Sequence, residues 1–417
     1  MHNGTERQYD DTDPQLAVRF RSVRRLSEAL AAPLSDADAT IQSMADASPA
    51  KWHLAHTTWF FETFVLRDHL PGYRLFDERW PFLFNSYYEA EGPRHARPMR
   101  GMLSRPSLDE ALAYRAHVDL HMERLLDRPD LAALIELGLN HEQQHQELLL
   151  TDIKHALSLN PLLPAYAPPA APQAHLSGAI GWDEHPGGIA RIGHEGPGLD
   201  NAFAFAFDNE GPAHRVFVEP FALAYRLVTN REWAEFVADG GYRTPALWLS
   251  DGWAWAQAEA IAAPLYWQDD AAFTLAGLAR RNPDAPVTHV SFYEADAFAT
   301  WAGARLPTEF EWEVAAASHD ATGGNQLDDA AGVHPTGSPG LFGDCWQWTR
   351  SAYLPYPRFR TAEGAVGEYN GKFMSGQCVL RGASCATPRG SSRATYRNFF
   401  PPEKRWQFTG VRLAKDT

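Results

Sequence analysis

The sequence predicts an α+β chain of two domains, a four-helix bundle followed by a half built from short strands and helices. Three observations predict it. Four stretches before residue 160 carry apolar residues at helical spacing. NPLLPAYAPPAAPQAH, from Asn160 to His175, breaks that pattern and reads as a semi-rigid Pro/Ala-rich linker. Beyond it, short strand-like runs alternate with Gly/Pro turns. At 417 residues the chain exceeds one ordinary core. The expected division is a bundle over 10–160, a linker over 161–178 and the mixed half over 179–417.

The first helix is expected over PQLAVRFRSVRRLSEALAA and the second over SPAKWHLAHTTWFFETFVLRDHL. The third, SLDEALAYRAHVDLHMERLLD, opens with Ser107 and Glu110 at capping-box spacing, where each side chain closes the other's backbone N–H. The fourth, DLAALIELGLNHEQQHQELLLTDIKHALSL, begins at Asp130. Four helices with one apolar face each make a bundle, whose interior suits a metal site. Between the second and third lies an irregular stretch, Pro71 to Pro106, containing FNSYYEAEGPRHARPMRGMLSRP. A loop this long in a compact domain is usually functional or disordered, and its aromatics and arginines argue against disorder. In the second half, RVFVEPFAL, QCVLRGAS and GVRLA read as strands, with helices near Thr229–Val237 and Tyr293–Ala302. No fixed-period repeat is present.

Charge and composition narrow the function. The net charge of −15 argues against nucleic acid or an anionic membrane as the main partner, while leaving room for a local basic pocket. The N-terminal MHNGTERQYDDTDPQ lacks the basic and apolar regions of a secretory signal, and no apolar run is long enough to span a bilayer. Three cysteines, Cys345, Cys378 and Cys385, are no disulfide framework, so a cytoplasmic location is expected. Whether the chain forms a homo-oligomer is left open.

The histidines carry the chemistry. In the fourth helix the apolar stripe runs through Leu131, Leu134, Ile135, Gly138, His141, His145, Leu148 and Leu149. Imidazoles four residues apart on a buried helix face can converge on one metal ion. His117 and His121 have the same spacing, but they line up with Tyr114, Arg124 and Arg128, and a solvated face is expected for them. The second helix supplies two candidates for a third ligand. His56 shares a stripe with Trp52 and Trp59; His53 shares a face with Thr57, Phe60 and Phe64. Three neutral imidazoles suit zinc, iron or copper and do not choose among them.

SPAKWHLAHTTWFFETF, NSYYEAEGPRHARPMRG and NHEQQHQELLL together resemble the ergothioneine-type sulfoxide synthases, which pair a DinB-like helical bundle with a domain similar to formylglycine-generating enzyme, a C-type-lectin-like, sulfatase-modifying-factor fold. GPAHRVFVEPFALAYRLVTNREWAEFV, PVTHVSFYEADAFATWAGARLPTEFEWEVAA, GDCWQWT and the terminal VLRGAS, TYRNF and TGVRLA blocks carry the second part of the likeness, in order. The resemblance implies a non-haem Fe(II) enzyme that uses O2 to join a thiol sulfur to C2 of hercynine, the trimethyl betaine of histidine. It implies His56, His141 and His145 as iron ligands and an active-site tyrosine at Tyr87 or Tyr88. It further implies Arg94 and Arg97 as the clamp for the thiol's carboxylate, and Gln144, Asn398 and Phe399 around hercynine.

The adjacent tyrosines look like the branch that takes free cysteine. Phe400 and Lys404 stand where γ-glutamylcysteine users carry an acidic residue and an arginine, and a phenyl ring gives no anchor for the glutamyl ammonium. An ovothiol-type synthase acting on histidine is the nearest alternative, although its usual methyltransferase domain is missing. A zinc-dependent DinB-type thiol transferase and a non-enzymatic lectin-like module are the others. The cysteines read as ordinary buried thiols rather than a copper site.

Overall fold

A computed structural model describes residues 14–168, 178–196, 205–338, 340–361, 367 and 370–417. The expected linker therefore lies partly outside the described residues. Six helices come first: α1 (Pro14–Ala31), α2 (Asp36–Thr40), α3 (Ala50–Phe61), α4 (Trp80–Phe84), α5 (Leu108–Met122) and α6 (Ala132–Ser158). α1, α3, α5 and α6 are the four long ones. The capping box at the start of α5 forms: Ser107 Oγ accepts from the Glu110 N–H at 3.2 Å, and Glu110 Oε2 accepts from the Ser107 N–H at 2.7 Å. α5 stops at Met122 rather than Asp127, and α6 is preceded by a 3-10 turn over Pro129–Leu131.

Every residue of α3 is buried, which makes it the axis of the bundle. It runs on as a π-helical segment, Glu62–Arg67. The buried Glu62 carboxylate there accepts from Tyr73 Oη, the Phe76 N–H and Tyr114 Oη at 2.8, 2.8 and 2.5 Å. This corrects part of the expectation of a solvated face around His117 and His121: Arg124 and Arg128 are exposed, but both imidazoles are half-buried. Tyr114, assigned to that face, is fully buried, and Tyr73 folds over both imidazoles at 6.0 and 5.2 Å. The periodicity of one helix gave no sign of a loop covering it. α6 lies against α3 because Gly138 has no side chain: a Cβ there would stand 2.6 Å from Phe61 Cε1 and 2.9 Å from Phe60 Cε1.

The long loop between α3 and α5 is not structureless. Besides α4 it holds 3-10 turns over Glu89–Glu91 and Arg97–Met102.

The second half contains helices α7 (Asn230–Ala238), α8 (Ser250–Ala258), α9 (Phe292–Trp301) and α10 (Glu309–Ala316) among short strands. Capping boxes at Thr229/Glu232, Ser291/Glu294 and Thr308/Glu311 start three of them. One four-stranded sheet faces the bundle's site. It is built from Trp346–Ala352, Cys378–Arg381, Asn398–Phe400 and Thr409–Gly410, antiparallel except where the last strand runs parallel to the first. The carboxylates of the EFEWE segment are structural: Glu309 and Glu313 both accept from Arg381, and Glu309 also from Arg397. All three cysteines are free thiols.

The two halves share one apolar core. Leu149, Leu150, Ile153 and Leu157 of α6 pack with Phe273, Leu327, Cys385 and Phe408 of the second half. Lys154 is buried in that core, its Nζ 2.6 Å from His289 Nε2 and 4.8 Å from the Tyr266 and Phe408 ring centres.

Candidate metal centre and substrate cavity

A cavity of about 300 Å³ opens where α3, α6 and the loop before α5 meet the four-stranded sheet. Its floor is three imidazoles. The ring nitrogens of His56, His141 and His145 that face one another all lie within 4.8 Å. Ring centres are 5.0 Å apart for His56–His141 and 4.7 Å for the other two pairs. His141 and His145 are one helical turn apart on α6, so their rings sit side by side. His56 is brought to them by the close approach of α3 that Gly138 permits.

Each ring is held. Trp52 and Trp59 stack on the two sides of His56, at 4.5 and 5.6 Å and within 14° of parallel. His56 Nδ1–H donates to the Phe84 carbonyl at 2.6 Å, which leaves its Nε2 lone pair free. His145 Nδ1 is 2.8 Å from His53 Nδ1. His141 Nδ1 is buried with no hydrogen-bond partner among the described residues. Burial, then the neighbouring imidazoles, holds His56 and His145 well below the usual histidine range, and burial brings His141 down to about 4. Three neutral imidazoles with unshared lone pairs, and an orphaned buried nitrogen among them, fit a divalent transition metal. His53 stands behind this trio rather than in it.

The loop supplies the next wall. Tyr87 and Tyr88 both border the cavity. Tyr87 Oη accepts from Arg97 Nη1 at 2.7 Å. Tyr88 is buried against Trp59 and Phe64, at 5.4 and 5.2 Å. Of the expected arginine pair only Arg97 borders the cavity; Arg94 pairs with Glu89 at 2.7 Å and is a third exposed. Arg100, which the sequence reading passed over, takes the second place. It is buried with its guanidinium 3.3 Å over the Trp52 ring and donates to Ser48 Oγ and Ser86 Oγ at 2.9 and 3.1 Å. Burial, then Arg97, pushes its pKa down to about 9, and no carboxylate pairs with it among the described residues. The local reason is the 3-10 turn from Arg97: residues three apart are eclipsed there, so Arg97 and Arg100 share a face while Arg94 precedes the turn. The RHARPMR run carried that spacing, but not the turn type.

The sheet closes the cavity. Asn398, Phe399 and Phe400 form its edge strand and all border the space. Phe399 is stacked on Tyr353 at 4.1 Å. Gln144 donates to Tyr396 Oη at 2.6 Å, tying α6 to this wall. Lys404 Nζ pairs with Asp46 at 2.8 Å across the two halves. Glu147 is a further cavity residue missed from sequence. It accepts from Trp346 Nε1, Ser384 Oγ and Thr387 Oγ1 at 2.8, 2.6 and 2.7 Å, and burial raises its pKa. Glu147 comes only two residues after His145 in the chain, yet its partner Trp346 is 199 residues away.

Comparison with known proteins adds an independent line. Residues 19–149 match the DinB superfamily, and residues 185–336 and 329–417 match the sulfatase-modifying factor enzyme 1-like domain. A hercynine oxygenase of Mycolicibacterium smegmatis is 34% identical over 410 residues, which is 88% of this chain and 91% of that protein. The hercynine oxygenase of Mycobacterium tuberculosis is 35% identical over 407 residues, again 88% of this chain and 91% of the relative. The formylglycine-generating enzyme of Thermomonospora curvata is 38% identical over 148 residues, covering 31% of this chain and 46% of that enzyme. The chain is thus a helical DinB domain followed by a sheet-containing sulfatase-modifying-factor-like domain.

Proposed function

The chain belongs to the hercynine oxygenase family, and from that premise we propose that it is an Fe(II)- and O2-dependent sulfoxide synthase joining the sulfur of cysteine to C2 of hercynine, in ergothioneine biosynthesis. The observation that carries this reading is the trio of neutral, inward-facing imidazoles at the base of a cavity walled by both halves. His56, His141 and His145 would hold the ferrous ion. Bound there, iron supplies oxygen activation and lowers the proton affinity of a thiol.

The remaining work falls to the chain's own groups. Arg97 and Arg100 present two guanidinium groups on one face of a turn, suited to a carboxylate. Arg100 is the better anchored of the two, since stacking on Trp52 and two serine hydroxyls fix its plane. Gln144, Asn398 and Phe399 form the wall against which hercynine would lie, with C2 turned toward the thiol; holding two reactants in this way is the proximity part of catalysis. The phenol O–H of Tyr88 or Tyr87 is the proton source next to the reacting atoms. Phe400 offers an apolar ring, and Lys404 is already neutralised by Asp46, so neither provides a free charge for a glutamyl group. This favours cysteine over γ-glutamylcysteine. A cytoplasmic setting agrees with three free thiols, and no helix of the described residues is long and apolar enough to cross a membrane.

The deciding experiment reconstitutes the anaerobically purified chain with Fe(II) and supplies oxygen. Hercynine is offered with cysteine, hercynine with γ-glutamylcysteine, and histidine with cysteine. The expected result is oxygen uptake coupled to a hercynine–cysteine sulfoxide. Preference for histidine would assign an ovothiol-type synthase, and zinc-dependent turnover without oxygen uptake would assign a thiol transferase. In the same assay Tyr88→Phe is expected to keep the metal and divert product toward cysteine sulfinate. If it behaves as wild type while Tyr87→Phe diverts product, the proton source is Tyr87.

A further inference from the structure

His53 lies on the cavity side of α3 without belonging to the imidazole trio, and both of its ring nitrogens are committed. Nδ1 is 2.8 Å from His145 Nδ1 and Nε2 is 3.1 Å from Asp152 Oδ2. Asp152 is on α6, two turns beyond His145, and is itself pinned. Its Oδ2 also accepts from the Ser48 N–H at 2.8 Å, and its Oδ1 accepts from Trp406 Nε1 at 3.0 Å. His53, Asp152, Ser48 and Trp406 are buried, and His145 is half-buried.

The proton positions follow from the partners. The Ser48 amide and the Trp406 indole can only donate, so both Asp152 oxygens are acceptors. His53 Nε2 must then carry the proton it shares with Asp152. A neutral His53 has its lone pair on Nδ1, so the proton between the two Nδ1 atoms belongs to His145. His145 Nδ1–H donates, and the His145 lone pair is left on Nε2. Any other neutral arrangement sets two donors or two lone pairs against each other. The same pattern holds for His56, where the Phe84 carbonyl takes the Nδ1 proton.

We infer that His53 and Asp152 are positioning residues: an Asp152–His53–His145 relay, anchored by Trp406 of the second domain, fixes the tautomer and ring orientation that present His145 Nε2 to the metal. The inference rests on the metal-site reading of the preceding section. It gives His53 a role other than ligand. It also gives the second domain a hold on the ligand set, since Trp406 is the one member of the relay that the bundle does not supply. Partners of this kind raise the basicity of a ligating imidazole and typically govern about 10–100-fold in metal affinity.

The test is a Co(II) titration of the metal-free, full-length chain, followed by the ligand-field absorption of the bound ion. Wild type is expected to bind one ion per chain. His53→Leu should weaken binding about 10–100-fold and shift the absorption band at saturating Co(II). His53→Gln, which keeps an acceptor and a donor, should recover part of the affinity. Asp152→Asn is the second arm, since its NH2 must face either the Trp406 indole or the Ser48 amide, both donors, and so breaks one of the bonds that anchor the relay without changing size. Unchanged affinity and spectrum in both His53→Leu and Asp152→Asn would overturn the relay while leaving the metal site standing. Absence of Co(II) binding by wild type would instead overturn the site itself.

Discussion

The two buried polar interiors on either side of α6 make an instructive comparison. On one face, Glu142 accepts from Arg24 Nη1 at 2.9 Å, from Ser27 Oγ at 2.5 Å and from Arg115. Gln146 adds bonds to the Val23 carbonyl and Ser27 Oγ at 2.8 and 2.9 Å. Burial by itself would raise the Glu142 pKa, but Arg115 and Arg24 bring it down to about 2. On the other face, His141 and His145 meet His56 with no carboxylate in direct contact among the described residues; Asp152 contacts His53, which in turn contacts His145. One cluster neutralises its carboxylate with two guanidinium groups and holds α1, α5 and α6 together. The other keeps lone pairs unshared. A buried polar cluster that closes on itself is structural, and one that ends in unshared lone pairs is built to receive something.

Four substitutions separate the two roles. The largest effect on stability is expected from Glu142→Ala, which strands two buried guanidinium groups; urea unfolding of the metal-free protein should show a loss of about 3–5 kcal/mol. A loss under about 1 kcal/mol would mean that this cluster does not hold the bundle. Gly138→Ala comes next. Its methyl must push Phe61 and Phe60 away from α6, costing about 1–3 kcal/mol, and it should also weaken metal binding by moving His56 off His141.

Lys154 extends the comparison to a buried cation with no carboxylate. Burial lowers its pKa to about 7 in the folded chain, against an ordinary lysine value of 10.5. Between these values the unfolded chain holds the extra proton, so stability should rise with pH through that window, by about 2 kcal/mol from pH 7 to pH 9. Lys154→Met should flatten this slope in unfolding measured across the same range. The smallest stability change is expected from His145→Ala. It should shift unfolding of the metal-free protein by no more than about 1 kcal/mol, because residues placed for function are seldom optimal for folding. Its metal content by elemental analysis should nevertheless fall to zero.

Much of this architecture was legible in local sequence rules. The capping box at Ser107, the helical spacing of His141 and His145 and the buried stripe containing Gly138 are determined within a few residues. So was the difference in texture between the halves, since short strands and Gly/Pro turns follow the helices directly. What was misread had partners elsewhere. Tyr114 was assigned to water because α5 alone could not show that Tyr73 and Glu62 would cover it. Arg94 was paired with Arg97 on the family likeness, and only the 3-10 turn sets Arg100 on the same face as Arg97. The division into two domains stands, and what the linker could not show is that the end of α6 shares a core with the second.

The sequence by itself determined which segments are helical, which helix faces are apolar, and that two imidazoles would share one of those faces. Those properties depend on spacing along a single element. Only the tertiary structure decided that His56 completes the trio while His53 turns to Asp152, and that Trp406 and Glu147 tie the second domain to the site. A side chain's hydrogen-bond partners are set by packing between elements as much as 254 residues apart, as Trp406 and Asp152 are, and no local period encodes them.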